Sequence, residues 1–166
     1  MIEGKRIAVV IPCRNEAAGL AALLPERPSE VDDIIVVDNN SADETAAVAA
    51  AHGARVVFER RPGYGAAFQA GFRAVTADIV VTMDGDAQYD IRDVPRLVRI
   101  FQAGKLDVLS TNRFPLERGS MPAYRRIGNA ALTATAWLLF GRAIRDTQSG
   151  MWVFSRSCLD RIGARE

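Results

Sequence analysis

One histidine, two cysteines and a net charge of +1 in 166 residues close off several kinds of chemistry at once. His52 stands just before Gly53 at an expected helix end, where capping or dipole compensation accounts for it. A Ser/His/Asp triad or a histidine metal site would need that residue, so both are set aside. Cys13 and Cys158 lie far apart, without Cys-x-x-Cys or zinc-ligand spacing. They read as small hydrophobes in a reduced, cytosolic chain. The near-neutral balance gives no whole-molecule case for nucleic acid. No apolar run approaches the roughly 20 residues of a membrane span, and Met1 opens no signal peptide.

What is present is a set of short β-branched runs: "RIAVVI" (Arg6 to Ile11), "DIIVV" (Asp33 to Val37), "RVVF" (Arg55 to Phe58), "DIVVTM" (Asp78 to Met83) and "DVLST" (Asp107 to Thr111). They are continuous rather than alternating, as suits strands covered on both faces. Helical patterns fill the intervals. Ser41 and Glu44 have the spacing of a capping box, with Gly53 to close that helix. Phe68, Phe72 and Val75 share one helical face, as do Val94, Leu97, Val98 and Phe101, with Gly104 as the stop. Crossovers of this length suit right-handed βαβ units. The expectation is a single α/β domain on a largely parallel sheet, without repeat, low-complexity tract or linker. After Thr111 comes a loop-like, basic stretch and a helix around Tyr124 to Phe140. "SGMWVFS" (Ser149 to Ser155) reads as one more strand, antiparallel at an edge.

Ligands of open parallel sheets bind beyond the carboxyl ends of the strands. Three such ends are polar here: "PCRNE" (Pro12 to Glu16), "DNNS" (Asp38 to Ser41) and "DGDAQ" (Asp84 to Gln88). One cluster is a turn; three at one edge suggest a site. Asp84 and Asp86 flank only Gly85, and two close carboxylates repel unless something neutralises them. Mg²⁺ or Mn²⁺ would do so, since both prefer oxygen ligands and combine one or two carboxylates with phosphate oxygens. Gly85 would let the backbone turn tightly without blocking a ligand. Rival motifs fit less well. No Gly-x-Gly-x-x-Gly follows the first strand, and "GYGAAF" (Gly63 to Phe68) falls in the wrong βα unit. No Walker A loop occurs, and "DGDAQYD" lacks the glycine and distal Glu of an EF-hand. A strand followed by Asp-x-Asp also resembles haloacid-dehalogenase-type phosphatases, but Ala87 and Gln88 depart from their usual continuation.

Taken in order, "VVIPCRNE", "VVDNNSADET", "RPGYGAAFQAGF", "VVTMDGDAQYD", "STNRF" and "RDTQSGMWVFSR" resemble family-2 glycosyltransferases with the GT-A fold. The resemblance is greatest to polyprenyl-phosphate hexose synthases of the dolichyl-phosphate mannose synthase type. It implies a nucleoside diphosphate sugar, UDP- or GDP-linked, as donor. Pro12, Arg14, Glu16, Val37, Asp38, Asn39 and Gly65 would surround the nucleotide. Asp84, Gly85, Asp86 and Gln88 would hold the diphosphate, with Asp84, Asp86 and Gln88 on the metal. Arg113 and Arg125 or Arg126 would meet the acceptor phosphate, with Ser149 nearby. Arg14 stands where many relatives carry Tyr, Asn39 where a second Asp is common, and Met151 where Phe is usual. Relatives continue past the position of Glu166, so the chain is expected to lack their C-terminal part.

The resemblance further implies metal-dependent, inverting hexosyl transfer to a polyprenyl phosphate by a chain at the cytoplasmic face of a membrane. A phosphate acceptor is already anionic, which suits a chain without a catalytic histidine; a hydroxyl acceptor would call for a carboxylate base. Ala130 to Phe140, "AALTATAWLLF", is flanked by Arg125, Arg126, Arg142 and Arg145. It is expected either to pack in the core or to touch a membrane surface without spanning it. The alternatives are a transferase with a hydroxyl acceptor, a non-catalytic nucleotide-sugar-binding fragment, and the phosphatase above.

Overall fold

The computed structural model describes residues 1–111 and 149–163. Arg113, Arg125, Arg126 and the segment 130–140 lie outside the described residues, as does the helix expected around 124–140. The chain divides into two compact units, Met1–Leu109 with Met151–Glu166, and Ser110–Gly150. In the second, the Thr111 and Ser149 hydroxyls share a 2.8 Å hydrogen bond.

Among the described residues six strands form one sheet: β1 (Ile7–Cys13), β2 (Asp33–Asp38), β3 (Arg55–Phe58), β4 (Ile79–Thr82), β5 (Val108–Ser110) and β6 (Trp152–Ser155), ordered β3-β2-β1-β4-β6-β5. β1 pairs in parallel with both β2 and β4, and β2 in parallel with β3. The strand around Trp152 is antiparallel, as expected, but it is not at an edge: β6 sits between β4 and β5. Its neighbours explain that position. Val153 is buried in the core on one face, while Phe154 packs against the core on the other. A strand covered on both sides loses least by lying inside the sheet.

Alternate residues of β1 to β4 and of β6 pack toward opposite cores. Ile7, Val9 and Ile11 of β1 face Leu20 and Leu23 of α1 (Ala17–Leu23), Ala49 of α2 (Thr45–Ala51) and the Val94, Val98 and Phe101 stripe of α4 (Val94–Ala103). Ala8 and Val10 instead face α3 (Tyr64–Ala74) through Ala67, Ala70 and Phe72, together with Leu159 of α5 (Arg156–Arg161). Gly71 permits this closeness, since a Cβ there would stand 2.4 Å from a Val10 methyl.

The capping box does not form. α2 begins at Thr45, and neither Ser41 nor Glu44 caps it. The side chains of this loop serve α1 instead. Ser41 Oγ accepts from Asn15 N at 3.0 Å, Thr45 Oγ1 from Glu16 N at 2.9 Å and Asp43 Oδ2 from Ala17 N at 3.1 Å. The first N–H groups of a helix lack internal partners, and here the neighbouring loop supplies them. Gly53 closes α2 with φ of +73°, as expected, and His52 Nδ1 lies 2.9 Å from the Val48 carbonyl oxygen. At the end of α4 the left-handed residue is Lys105 rather than Gly104.

Candidate functional site

The chain runs outward from β1 through β2 to β3, then returns to β4 on the other side of β1. This reversal opens a crevice between β1 and β4 at their carboxyl ends, where open α/β sheets bind ligands. A cavity of about 350 Å³ lies there, lined in part by Pro12, Arg14 and Glu16 after β1, Asn39 after β2, and Asp84, Gly85 and Asp86 after β4. The three polar strand ends therefore converge. Other expected residues are placed differently. Val37 is buried in the core beneath α3, and Asp38 is buried with its carboxylate accepting from Ser41 N at 2.9 Å. Gly65 lies in the first turn of α3, and Gln88 is exposed, its backbone N–H donating to Asp86 Oδ1 at 3.0 Å.

Gly85 does not act through a special turn conformation. The left-handed residue of this loop is Ala87, at φ +59°. Gly85 is instead a packing requirement: a Cβ there would stand 2.6 Å from Cys13 Sγ. From the other side, Gly19 of α1 lies so close that its own Cβ would stand 2.1 Å from the Gly85 carbonyl oxygen. The Asp84–Asp86 loop is thus wedged between β1 and α1.

Gly63 and Tyr64 line the cavity without having been expected there, although their segment belongs to the resembling stretch "RPGYGAAFQAGF" and Gly65 was expected near the nucleotide; Cys13 and Ala67 line it as well. Tyr64 Oη donates to Asp84 Oδ1 at 2.5 Å. Burial and then that carboxylate keep the phenol protonated far above its ordinary range. The ring meets Phe68 edge-on at 4.6 Å. A Gly-Tyr-Gly opening a helix across from Asp-x-Asp was the available signal.

The site carries excess negative charge. Glu16 is raised above the usual carboxylate range by burial, then by Asp86, Asp43 and Asp84. Such a cluster would be relieved by a cation. Among the described residues no group of three or more His, Cys, Asp or Glu side chains could hold a metal by itself. The fit is to a hard ion sharing Asp84 and Asp86 with ligand phosphate oxygens.

Cys13 and Cys158 are both free and buried. Burial, followed by Glu16, Asp38, Asp84 and Asp43, pushes the Cys13 thiol from 9.0 up to about 12. The thiolate is the reactive form, so its fraction near pH 8 falls roughly a thousandfold. Iodoacetamide at pH 8 is therefore expected to leave Cys13 unlabelled in the folded protein and to label it after denaturation. Rapid labelling of Cys13 in the native protein, read by peptide mass, would contradict this packing.

The profile of Glycosyl transferase family 2 matches residues 8–163. The chain belongs to this family. It is 42% identical over 130 residues to an uncharacterized glycosyltransferase of Mycobacterium tuberculosis, covering 78% of this chain and 59% of that protein. With the dolichyl-phosphate hexose transferase of Haloferax volcanii it shares 32% identity over 159 residues, 94% of this chain and 69% of the relative. Among solved structures, the glucosyl-3-phosphoglycerate synthase of Mycobacterium tuberculosis with Mn²⁺ and UDP-glucose superposes with a TM-score of 0.76 at 30% identity. That superposition covers 93% of this chain and 57% of the synthase. The fold is GT-A, as expected from the sequence, with a mixed six-stranded sheet between helices. The chain thus spans little more than half the length of the mycobacterial proteins it matches. The family leaves the phosphatase reading without support.

Proposed function

We propose that the protein transfers a hexose from a nucleoside diphosphate sugar to a polyprenyl phosphate, with inversion at the anomeric carbon. The observation that carries the donor half is the convergence of Arg14 and Glu16, Asn39, and Asp84 with Asp86 on one cavity at the sheet's switch point. Pro12 and Arg14 would border the base, where a guanidinium plane can stack. Asp84 and Asp86 would bind the diphosphate through a shared Mg²⁺ or Mn²⁺, with Gln88 steadying Asp86 through its backbone N–H. When bound, such an ion supplies positive charge where the diphosphate leaves. Tyr64 would fix the Asp84 carboxylate, and the wedge formed by Gly19 and Gly85 would keep both carboxylates at the cavity rim. The Mn²⁺ and UDP-glucose bound to the mycobacterial synthase support this reading.

The acceptor half rests on the Haloferax relative's dolichyl-phosphate name and on basic residues Arg113, Arg125 and Arg126. Their planar forks suit phosphate oxygens, and Ser149 would assist. A phosphate oxygen could attack without a strong general base. A lipid acceptor resists leaving the bilayer, at about 0.8 kcal/mol per exposed CH₂, so the enzyme would meet it at the cytoplasmic membrane surface. No helix among the described residues is long and apolar enough to cross a membrane. A second reading, a small hydroxyl-bearing acceptor, is favoured by the likeness to glucosyl-3-phosphoglycerate synthase.

Thermal shift with UDP- and GDP-sugars, with and without Mn²⁺, tests the donor site; stabilisation by at least one sugar only in the presence of metal is expected. Radiolabelled donor is then offered with polyprenyl phosphate in vesicles or with phosphoglycerate. Label in the organic phase supports the first reading, label on the soluble acid supports the second. Binding without turnover on either acceptor would indicate a binding module.

A further inference from the structure

Asn39 stands where the family resemblance leads one to expect a second Asp, and its surroundings explain why an amide is there. The residue is 5% exposed, both Nδ2 hydrogens are engaged, and Oδ1 accepts one bond. Its Nδ2 donates to the carbonyl oxygens of Glu59 and Arg61 at 2.8 and 2.7 Å. Its Oδ1 accepts from Gly63 N at 2.8 Å, and its backbone N–H donates to Cys13 O at 2.9 Å. Two carbonyl acceptors and one N–H donor fix which way the amide points. Asn40 adds Nδ2 bonds of 3.3 and 3.1 Å to the Glu59 and Arg60 carbonyls, from a left-handed backbone at φ +63° that Asn tolerates. The tandem asparagines therefore hold three successive carbonyls and then the amide that opens α3. The loop is braced from outside as well: the Glu59 carboxylate accepts from Arg61 N at 2.8 Å and lies 3.5 Å from the Arg73 guanidinium.

Tyr64 comes directly after this loop and is bonded to Asp84 across the cavity. Gly63 is at φ +121°, a conformation that only glycine adopts comfortably, so the chain enters α3 along one constrained path. We propose that Asn39, assisted by Asn40, is a positioning residue that latches the 59–63 loop and thereby seats Tyr64 on Asp84, and that Asn39 does not read the nucleotide base. The inference rests on the donor-site reading above. A carboxylate at position 39 would lack both donors and would face two carbonyl oxygens, so Asp cannot replace Asn without releasing the loop. Neither Nδ2 hydrogen is left for a base edge, and a base N–H would have to share Oδ1 with Gly63 N. Base preference must then come from other residues.

The test compares wild type, Asn39→Asp, Tyr64→Phe and the double variant. Amide hydrogen exchange of residues 59–64 is measured without ligand, and affinities for UDP and GDP are measured with Mn²⁺. Asn39→Asp is expected to speed exchange across 59–64 and to weaken UDP and GDP by the same factor, on the order of tenfold, leaving their ratio unchanged. Tyr64→Phe should weaken binding without faster exchange at 59–62. The double variant should bind no worse than Asn39→Asp, because both changes remove one linkage. A changed UDP-to-GDP ratio with unchanged exchange would make Asn39 a base contact and overturn the proposal; so would unchanged exchange with unchanged affinity. If Asn39→Asp does not fold, Asn40→Asp, at an exposed position, should show the same pattern at smaller size, and its absence counts against the latch. Failure of the wild type to bind any nucleotide with Mn²⁺ would instead sink the donor-site reading, while exchange in the variants still decides the latch.

Discussion

Asp86→Asn protein is expected to fold normally and to lose most of its metal-dependent nucleotide affinity. Asp86 is exposed, and Asn keeps an oxygen to accept from Gln88 N, so stability should change by no more than about 0.5 kcal/mol. The charge is another matter. A unit charge about 4 Å from an opposite one is worth on the order of 4 kcal/mol at an effective dielectric near 20. Losing one of the two carboxylates proposed to hold the ion should weaken metal-dependent binding about ten- to a thousandfold. Removing a negative neighbour also relieves Glu16, so the metal-free variant should melt at or slightly above the wild-type temperature. Titration of UDP or GDP into both proteins with and without Mn²⁺ reads the effect. Equal metal-dependent affinity in the variant would rule out Asp86 as a route to the diphosphate.

Gly19→Ala should damage the protein where helix propensity alone argues for improvement. Within a helix, Gly to Ala is normally favourable by up to about 1 kcal/mol. Here the new Cβ would stand 2.1 Å from the Gly85 carbonyl oxygen and 3.1 Å from Asp86 Cα. Both are backbone atoms, so no rotamer change relieves the overlap. Either α1 or the Asp84–Asp86 loop must move. Overpacking of this kind costs about 1–3 kcal/mol, which for a chain of this size lowers the melting temperature by about 3–10 °C. Displacement of the loop should weaken nucleotide binding as well. Gly65→Ala is the matched control: nothing lies within 4 Å of its Cβ, and it sits in the first turn of α3. That variant should melt at or above the wild-type temperature. A Gly19→Ala protein as stable as Gly65→Ala would show that the wedge is not a real constraint.

The sequence by itself determined the α/β class, the parallel strands and the cavity edge. Continuous runs such as "IAVV" and "IIVV" admit few solutions other than strands covered on both faces, and polar residues that end them must emerge at the carboxyl edge. The family motifs are likewise local, so Asp84 and Asp86 were legible as a pair from their spacing and from the strand before them. Only the tertiary structure decided which loops hold which. Ser41 reads as a cap for its own helix but bonds Asn15, because sheet order sets β2 beside β1 and brings that loop nearer. Trp152 to Ser155 reads as an edge strand but lies inside the sheet, because its two faces meet cores built by residues far away in the chain. Asn39 looks like a departure from a base-contacting Asp, and its carbonyl partners are 20 and 22 residues away in a loop whose sequence does not reveal that partnership. Periodicity reports whether a residue is buried, since burial repeats along one element. Hydrogen-bond partners and close backbone approaches such as Gly19 to Gly85 depend on how elements are set beside each other, and no local pattern records that.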